Sequence, residues 1–383
     1  RGIAEIAELT GQKSEETARL REEISALAPH REELAKSLAE LREMVEFEQA
    51  KISMGNTESL SYITGFVPAE KNGLIKKTAA EEGWAVLLRE PAEDETVPTL
   101  LTNNRVVRIV QPVFNLLGTL PGYRERDISF FFLIFFSIFF AMIIGDGGYG
   151  LVIFLVSIYS LVKARGSKSN DGLILIVVMS VCSMIWGAVT GTWFGIEAIS
   201  EKTFLSRLVI PGLSSFDPRS SEIVQRMCFI LGTVHISIAH IWNFFRQIKE
   251  KPRIRALAQL GWLSMVLGLY YLVLNLVLDP VAFPMPSFAL PMIIGGLVFV
   301  FLFANQEGKF FKGILKGLTN FLPTFLNSIG VFSDIISYIR LFAVGLASFS
   351  VADSFNSMAA GAARSGVVGL IAAVVIGVLG HGL

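Results

Sequence analysis

The sequence predicts a mainly α-helical polytopic membrane protein, in which a domain of about eight spans follows a coiled-coil arm and a small α/β lobe. Three observations carry this expectation. The chain is 52% hydrophobic, yet its halves differ: residues 1–127 hold 16 Lys and Arg against 22 Asp and Glu, whereas residues 128–383 hold 17 against 11. The second part divides into apolar runs of membrane-crossing length separated by short polar loops. Those loops also alternate in charge. With the N-terminal part placed inside, loops 163–171, 246–255 and 305–318 hold 11 Lys and Arg, and loops 145–147, 196–222, 279–287 and 361–366 hold 4. The positive-inside bias therefore puts the N-terminal domain in the cytoplasm.

Residues 1–57 read as the arm. Leu20, Ile24, Leu27, Leu34, Leu38, Leu41 and Val45 recur at spacings of 3 and 4, with Arg31 filling the missing position. This is the a/d seam of a coiled coil, with a kink or interruption expected at Pro29. So apolar a seam needs a second helix, either from a segment upstream or from a second copy. Residues 58–127 read as the lobe and its linker: a strand at 61–67, a helix at 70–82 stopped by Gly83, and a strand at 84–88. The lobe has no Gly-rich phosphate loop and no paired catalytic residues, so the chain is expected to be no enzyme on its own and to need no cofactor. Its acidic balance argues against nucleic acid as a partner. Cys182 and Cys228 both lie in apolar segments and form neither a disulfide framework nor a metal-ligand spacing.

Residues 128–383 read as the transmembrane domain. Spans are expected at 128–144, 148–162, 173–196, 223–245, 257–278, 288–304, 323–360 and from 367 onward. Gly145 to Gly150 (GDGGYG) forms a tight hairpin between the first two. The seventh run is too long: its thirty-odd residues make about 50 Å of helix against a hydrocarbon core of about 30 Å. It must tilt or protrude. Arg340 lies near its middle. A guanidinium stays charged under all ordinary conditions, and holding one at bilayer depth costs roughly 2.5–3.5 kcal/mol on insertion scales. Snorkelling to a headgroup is the bland explanation, but Arg340 is 17 residues, about 25 Å of helix, past Pro323. On its face Ser333, Ser337, Val344, Ala347 and Val351 are small or short, which suits a partner that slides past a fixed charge.

Other polar residues admit two readings each. Asp334 is six residues before Arg340, about 240° around an ideal helix, and so off its face; it either lines a path to the cytoplasm or bonds a neighbouring span. Ser348 is a path-lining or a packing serine. Asp146 caps the second span or serves an outer path. His235 and His240 are too far apart around their helix to share a metal, and a satisfied interior histidine outweighs a proton relay for each. Glu197, at the outer end of the third span, attracts cations or is a solvated loop acid. His381 is an intramembrane histidine of open role. The basic run from Arg246 to Arg255 is expected to set topology and contact anionic lipid.

At this point the motifs resemble those of the membrane subunit a of V/A-type rotary ATPases, called subunit I in bacteria and archaea. SYIRLFAVGLA, residues 337–347, resembles the arginine motif of that family's penultimate helix; FFFLIFFSIFFAMIIGDGGYG, residues 130–150, resembles its first-hairpin signature; GTWFG and LGTVHISIAHIWN are similar to weaker blocks. The resemblance implies a stator that faces a ring of proteolipid subunits, each carrying a carboxylate. Two offset half-channels would admit protons or sodium ions, with Arg340 between them. Ser337, Asp334, Ser348, His235, Asp146, Glu197 and His381 are the candidates for the ion path. The arm and lobe would contact peripheral-stalk subunits, and the ATPase head only indirectly. The sequence is expected to be a piece cut at both ends, with a second family arginine beyond Leu383. A stand-alone ion-coupled secondary transporter and a structural membrane scaffold are the alternatives. The first expects internal repeats, and none is visible.

Overall fold

The computed structural model describes residues 3–27, 30–57, 59–92, 94–164, 170–308 and 310–382. They form two units, 1–100 and 101–383, which are taken in turn.

The first unit opens with two helices, α1 (Ile3–Leu27) and α2 (His30–Ile52). Pro29, where the interruption was expected, lies outside the described residues. The seam side chains Leu20, Ile24, Leu34, Leu38, Leu41 and Val45 are all exposed, so the apolar stripe has no cover within the described part of its own unit. A short antiparallel hairpin follows, β1 (Gly55–Asn56) and β2 (Ser61–Tyr62), with Gly55 opposite Tyr62 and Asn56 opposite Ser61. Helix α3 (Asn72–Glu82) stands where it was expected and ends at Gly83, whose φ of +71° gives the left-handed cap.

The expected strands are corrected here. The first shrinks from 61–67 to two residues, and the second, 84–88, is not a strand. The reason is the lack of a ladder: no neighbouring strand takes up the backbone of 84–88, and Trp84 and Leu87 remain exposed, Leu87 to 89%. Apolar alternation marks a strand only where a sheet exists to bury one face.

The second unit is helical throughout. A short helix, α4 (Gln111–Leu117), precedes α5 (Ser129–Ile144), α6 (Gly147–Lys163), α7 (Asp171–Thr190), the short α8 (Glu197–Lys202) and α9 (Ser220–Gln247). Then come α10 (Leu257–Val273), α11 (Ala289–Phe303), α12 (Phe310–Thr319), α13 (Phe321–Ser337), α14 (Ile339–Ala363) and α15 (Gly366–Gly382). Four stretches are long and apolar enough to cross a membrane: Asp171–Thr190, Ser220–Gln247, Arg253–Leu278 and Phe321–Ala363. Four shorter apolar helices, α5, α6, α11 and α15, stand where the other four spans were expected, each below the length of the first four. The third run ends earlier than expected, at Thr190, because Gly191 turns the chain with a φ of +71°.

Glycines set the closest packing. A Cβ at Gly296 of α11 would lie 2.5 Å from the Gly261 carbonyl oxygen of α10, and one at Gly261 would lie 2.7 Å from that of Gly296. Each helix therefore runs against the bare backbone of the other, as small-residue seams allow in membranes. Around this pair Phe229, Met265, Val266, Leu269, Val273, Leu274 and Ile335 form the main core, joining α9, α10 and α13. A second cluster, Ile109, Leu133, Leu175 and Met179, fixes the 101–117 segment to α5 and α7. There Arg108 pairs with Asp171, Nε to Oδ2 at 3.0 Å.

Candidate functional site

Helices α13 and α14 form one 43-residue apolar stretch, interrupted at Tyr338. At the interruption the hydrogen bonding tightens. The Tyr338 N–H donates to the Ile335 carbonyl at 3.3 Å, and the Leu341 N–H donates to the Tyr338 carbonyl at 3.1 Å, both three residues back. The Ser337 carbonyl is thereby released from the ladder bond that Leu341 would make to it in an α-helix. Arg340 takes it: its Nε donates to that oxygen at 3.2 Å. The side chain is thus held at its root while the outer guanidinium nitrogens are left for another partner. Among the described residues Arg340 makes no ion pair.

Arg340 is exposed, as are Ser333, Asp334, Val344, Ala347 and Val351 around it, while Ser337 and Ser348 are half-buried. The helix that carries the charge is also the most open of the four long ones. Only 11% of its most apolar stretch is buried, against 39% for the stretch containing α10.

Asp334 and Arg340 border the same open cleft of about 580 Å³, together with Ser337, Tyr338, His235 and Ile143. This corrects the expectation that the two charged residues diverge. Six ideal α-helical residues leave them about 120° apart by the shorter way; a few steps at the roughly 120° per residue of a 3₁₀ turn bring that to about 60°. A second, smaller pocket of about 50 Å³ lies along the other stretch of α14, lined by hydroxyl-bearing Thr190, Ser215, Ser220 and Ser221 and by Gly345. The two cavities share Leu341, one residue past the arginine.

Two polar pairs that the sequence did not reveal pin α14 in place. His235 Nδ1 lies 2.6 Å from Tyr338 Oη, and the imidazole stacks on Phe135 at 4.1 Å between centroids. A Cβ at Gly232 would fall 2.5 Å from the Tyr338 ring, so only glycine lets that ring lie on α9. His235 is thus a satisfied interior histidine, and it is satisfied by the residue at the helix interruption. Further along, Asn356 donates from Nδ2 to the Phe194 carbonyl at 2.7 Å and meets His381 Nε2 at 3.0 Å, while His381 Nδ1 meets Tyr149 Oη at 2.6 Å. His381 therefore ties α15 to α6 and α14. His240 bonds Gln259, at 2.9 Å, and stacks on Trp262.

Asp146 caps α6. Its Oδ1 accepts from Gly148 N at 2.7 Å and Tyr149 N at 3.2 Å, and its Oδ2 accepts from Gly195 N at 3.0 Å. Burial pushes its carboxyl above the usual carboxylate range, and the surrounding backbone N–H groups pull the other way. Glu197 is exposed and begins α8; it does not end α7, because the chain has already turned at Gly191. Among the described residues no group of three His, Cys, Asp or Glu is placed to hold a metal ion.

Comparison with known proteins gives a consistent set of relatives. V-type ATP synthase subunit I of Borreliella burgdorferi is 44% identical over 88% of this chain and 56% of that protein. V-type ATP synthase subunit I 1 of Treponema pallidum is 32% identical over 91% of this chain and 58% of that protein. A-type ATP synthase subunit I of Methanocaldococcus jannaschii is 24% identical over 98% and 59%. The chain thus spans somewhat more than half the length of the curated relatives it matches. No family model matches it.

Proposed function

The chain belongs to the V- and A-type ATP synthase subunit I family, and from that premise we propose that it is the membrane stator and ion-path subunit of a rotary ATPase. Its partner in the membrane is a ring of proteolipid subunits whose carboxylates pass Arg340 in turn. The arm, with its uncovered seam, docks on peripheral-stalk subunits, and ATP chemistry belongs to other subunits. The N-terminal unit lies in the cytoplasm. The 1–57 arm, the 58–127 lobe and the 128–383 membrane domain divide this work.

One observation carries the reading: a permanent cation stands on the most open long apolar helix, held at Nε and, among the described residues, in no ion pair. An opposite charge within about 4–6 Å favours the ionised carboxylate roughly 10- to 1,000-fold. As a ring site arrives, Arg340 draws its carboxylate into the ionised form, so the bound proton or sodium ion leaves along one path. As the site moves on, it reloads from the other. The offset cavities on either side of Leu341 suit two such half-paths. Asp334 and Ser337 serve the larger, with His235 at its wall. Thr190, Ser215, Ser220 and Ser221 line the other, Asp146 holds the turn beside it, and Ser348, His381 and Glu197 are further candidates on that path. Arg340, standing between the two paths, also blocks direct leakage of ions from one to the other.

The test is Arg340→Ala and Arg340→Lys in the assembled complex, reading ATP-driven ion uptake in vesicles alongside co-purification of ring and stalk subunits. Both variants are expected to assemble and to lose at least nine-tenths of uptake. A lysine variant that pumps normally sinks the reading, since it would make the chemistry of a fixed, non-titrating charge unnecessary.

A further inference from the structure

Helix α12 joins α11 to α13, ending one residue before α13 begins. Its ten residues, FFKGILKGLT, present three unlike faces. Gly313 and Gly317 form the first, turned inward: a Cβ would lie 2.4 Å from the Gln306 side chain at Gly313 and 2.7 Å from the Phe301 carbonyl at Gly317. Phe311, Leu315 and Leu318 form the second and are 84%, 64% and 62% exposed. At about 100° per residue they fall within an arc of about 60°. Lys312 and Lys316 occupy the remaining arc.

Three large side chains on one short arc make an apolar ridge of a kind that water-facing loops do not keep. The ridge continues into exposed Phe321 and Leu322 at the start of α13, an apolar helix of the membrane domain. The occupant of such a ridge must be apolar beside α13 and anionic beside the lysines. The charge agrees: the α9–α10 connection, on the same face of the membrane domain, carries five Lys and Arg between residues 246 and 255. Lys316 is paired with Glu307 at 2.6 Å, so Lys312 and the loop cations supply the surplus.

We propose that α12 lies in the plane of the membrane surface, seating Phe311, Leu315 and Leu318 among the upper acyl chains of an anionic phospholipid leaflet, with Lys312 at the headgroup phosphates. This is the geometry of an interfacial amphipathic helix. The consequence for function rests on the reading of Arg340 given above. Arg340 follows Phe321 by 19 residues, about 28 Å of helix, so a seated α12 sets the depth of the guanidinium from the membrane surface.

The test places a nitroxide at Phe311→Cys, Leu315→Cys or Lys312→Cys, in the full chain with Cys182→Ser and Cys228→Ser, reconstituted into phosphatidylcholine–phosphatidylglycerol vesicles. Collision with oxygen is compared with collision with a water-soluble nickel chelate. Labels at 311 and 315 are expected to favour oxygen several-fold, and the label at 312 to favour nickel. In phosphatidylcholine alone the first two are expected to become shallower. Water-like labels at 311 and 315 overturn the proposal, as do labels shielded from both agents, which would mean a protein covers the ridge. Equal depth in both lipids overturns its anionic part. Should a cysteine variant fail to fold, Phe311→Trp with quenching by brominated lipid gives the same reading: no quenching overturns the seat. None of these measurements uses pumping, so a failure of the Arg340 reading leaves them interpretable, and a working pump with water-like labels overturns the seat alone.

Discussion

The α10–α11 pair and the α13–α14 stretch are both apolar, yet they are built on opposite plans. The first is welded: glycine faces glycine, backbone meets backbone, and the surrounding Met265, Val266, Leu269 and Val273 are buried. The second is anchored on one side, through Ile335, Tyr338, Gly345, Ala352 and Asn356 and along α15, where Gly380 lies against the Phe355 ring, and on the other it shows Arg340 and Asp334 among the short side chains of Ser333, Val344, Ala347 and Val351. In lipid, apolar area alone gives no reason to bury one helix rather than another, because acyl chains are as apolar as leucine. Burial in such a molecule therefore reports close fit, and exposure reports a surface kept clear. The contrast separates the part that holds shape from the part that the proposed function sets against a partner.

The contrast can be broken by placing a leucine on each side. Gly296→Leu drives a side chain into the Gly261 carbonyl; overpacking of this kind costs about 1–3 kcal/mol or more. A fall of several degrees in thermal unfolding of the purified chain checks it. Ala347→Leu puts the same side chain on the open face and is expected to leave thermal unfolding unchanged while lowering ion uptake in the assembled complex. If both variants melt early, the open face is not open.

A smaller effect sharpens the comparison at its boundary. Tyr338→Phe keeps the ring and removes the hydroxyl from His235. Hydrogen bonds between membrane helices average about 0.6 kcal/mol and reach about 1.7, so a modest loss of thermal stability is expected, with uptake falling further than stability because the interruption that frees the Ser337 carbonyl is no longer fixed. Equal, small losses in both would make Tyr338 a packing residue only.

The smallest effect lies outside the spans. The Lys316 hydrogen bond and charge hold the Glu307 carboxyl below the usual range, with Arg255 and Lys312 adding to them. Its folded value is depressed, so its contribution is present above the ordinary carboxylate value and disappears as pH falls through the lowered one. Any stability gap between the wild type and Glu307→Gln should therefore exist at neutral pH and close in acid. Both side chains are largely exposed, so the gap is small.

What was legible in the sequence follows a physical divide. Hydropathy and charge act over one segment at a time, so the eight apolar helices, the Gly145 turn with its Asp146 cap, and Arg340 as a charge out of place could all be read directly. The pairs His235–Tyr338 and Tyr149–His381 join residues 103 and 232 positions apart, and nothing local marks a tyrosine as the partner of a distant imidazole. The relation of Asp334 to Arg340 was misjudged for a related reason: an ideal helical wheel has no place for a tightened turn. At 84–88 alternation was present but the sheet that gives alternation its meaning was not.

Helix α14 passes within backbone contact of α5 where a Cβ on Gly345 would stand 2.5 Å from the Met142 carbonyl oxygen. That crossing sits five residues, about 7.5 Å, beyond Arg340, and 24 residues, about 36 Å along a straight helix, beyond Phe321. It makes a pivot with Arg340 close to it and Phe321 far out on the same arm. A 10° rock of the rod would swing its far end by about 6 Å and shift the base of the guanidinium by only about 1.3 Å, taking the same helical rise. In the proposed motor, torque from the turning ring would thus bend the far end of the stretch while moving the guanidinium little.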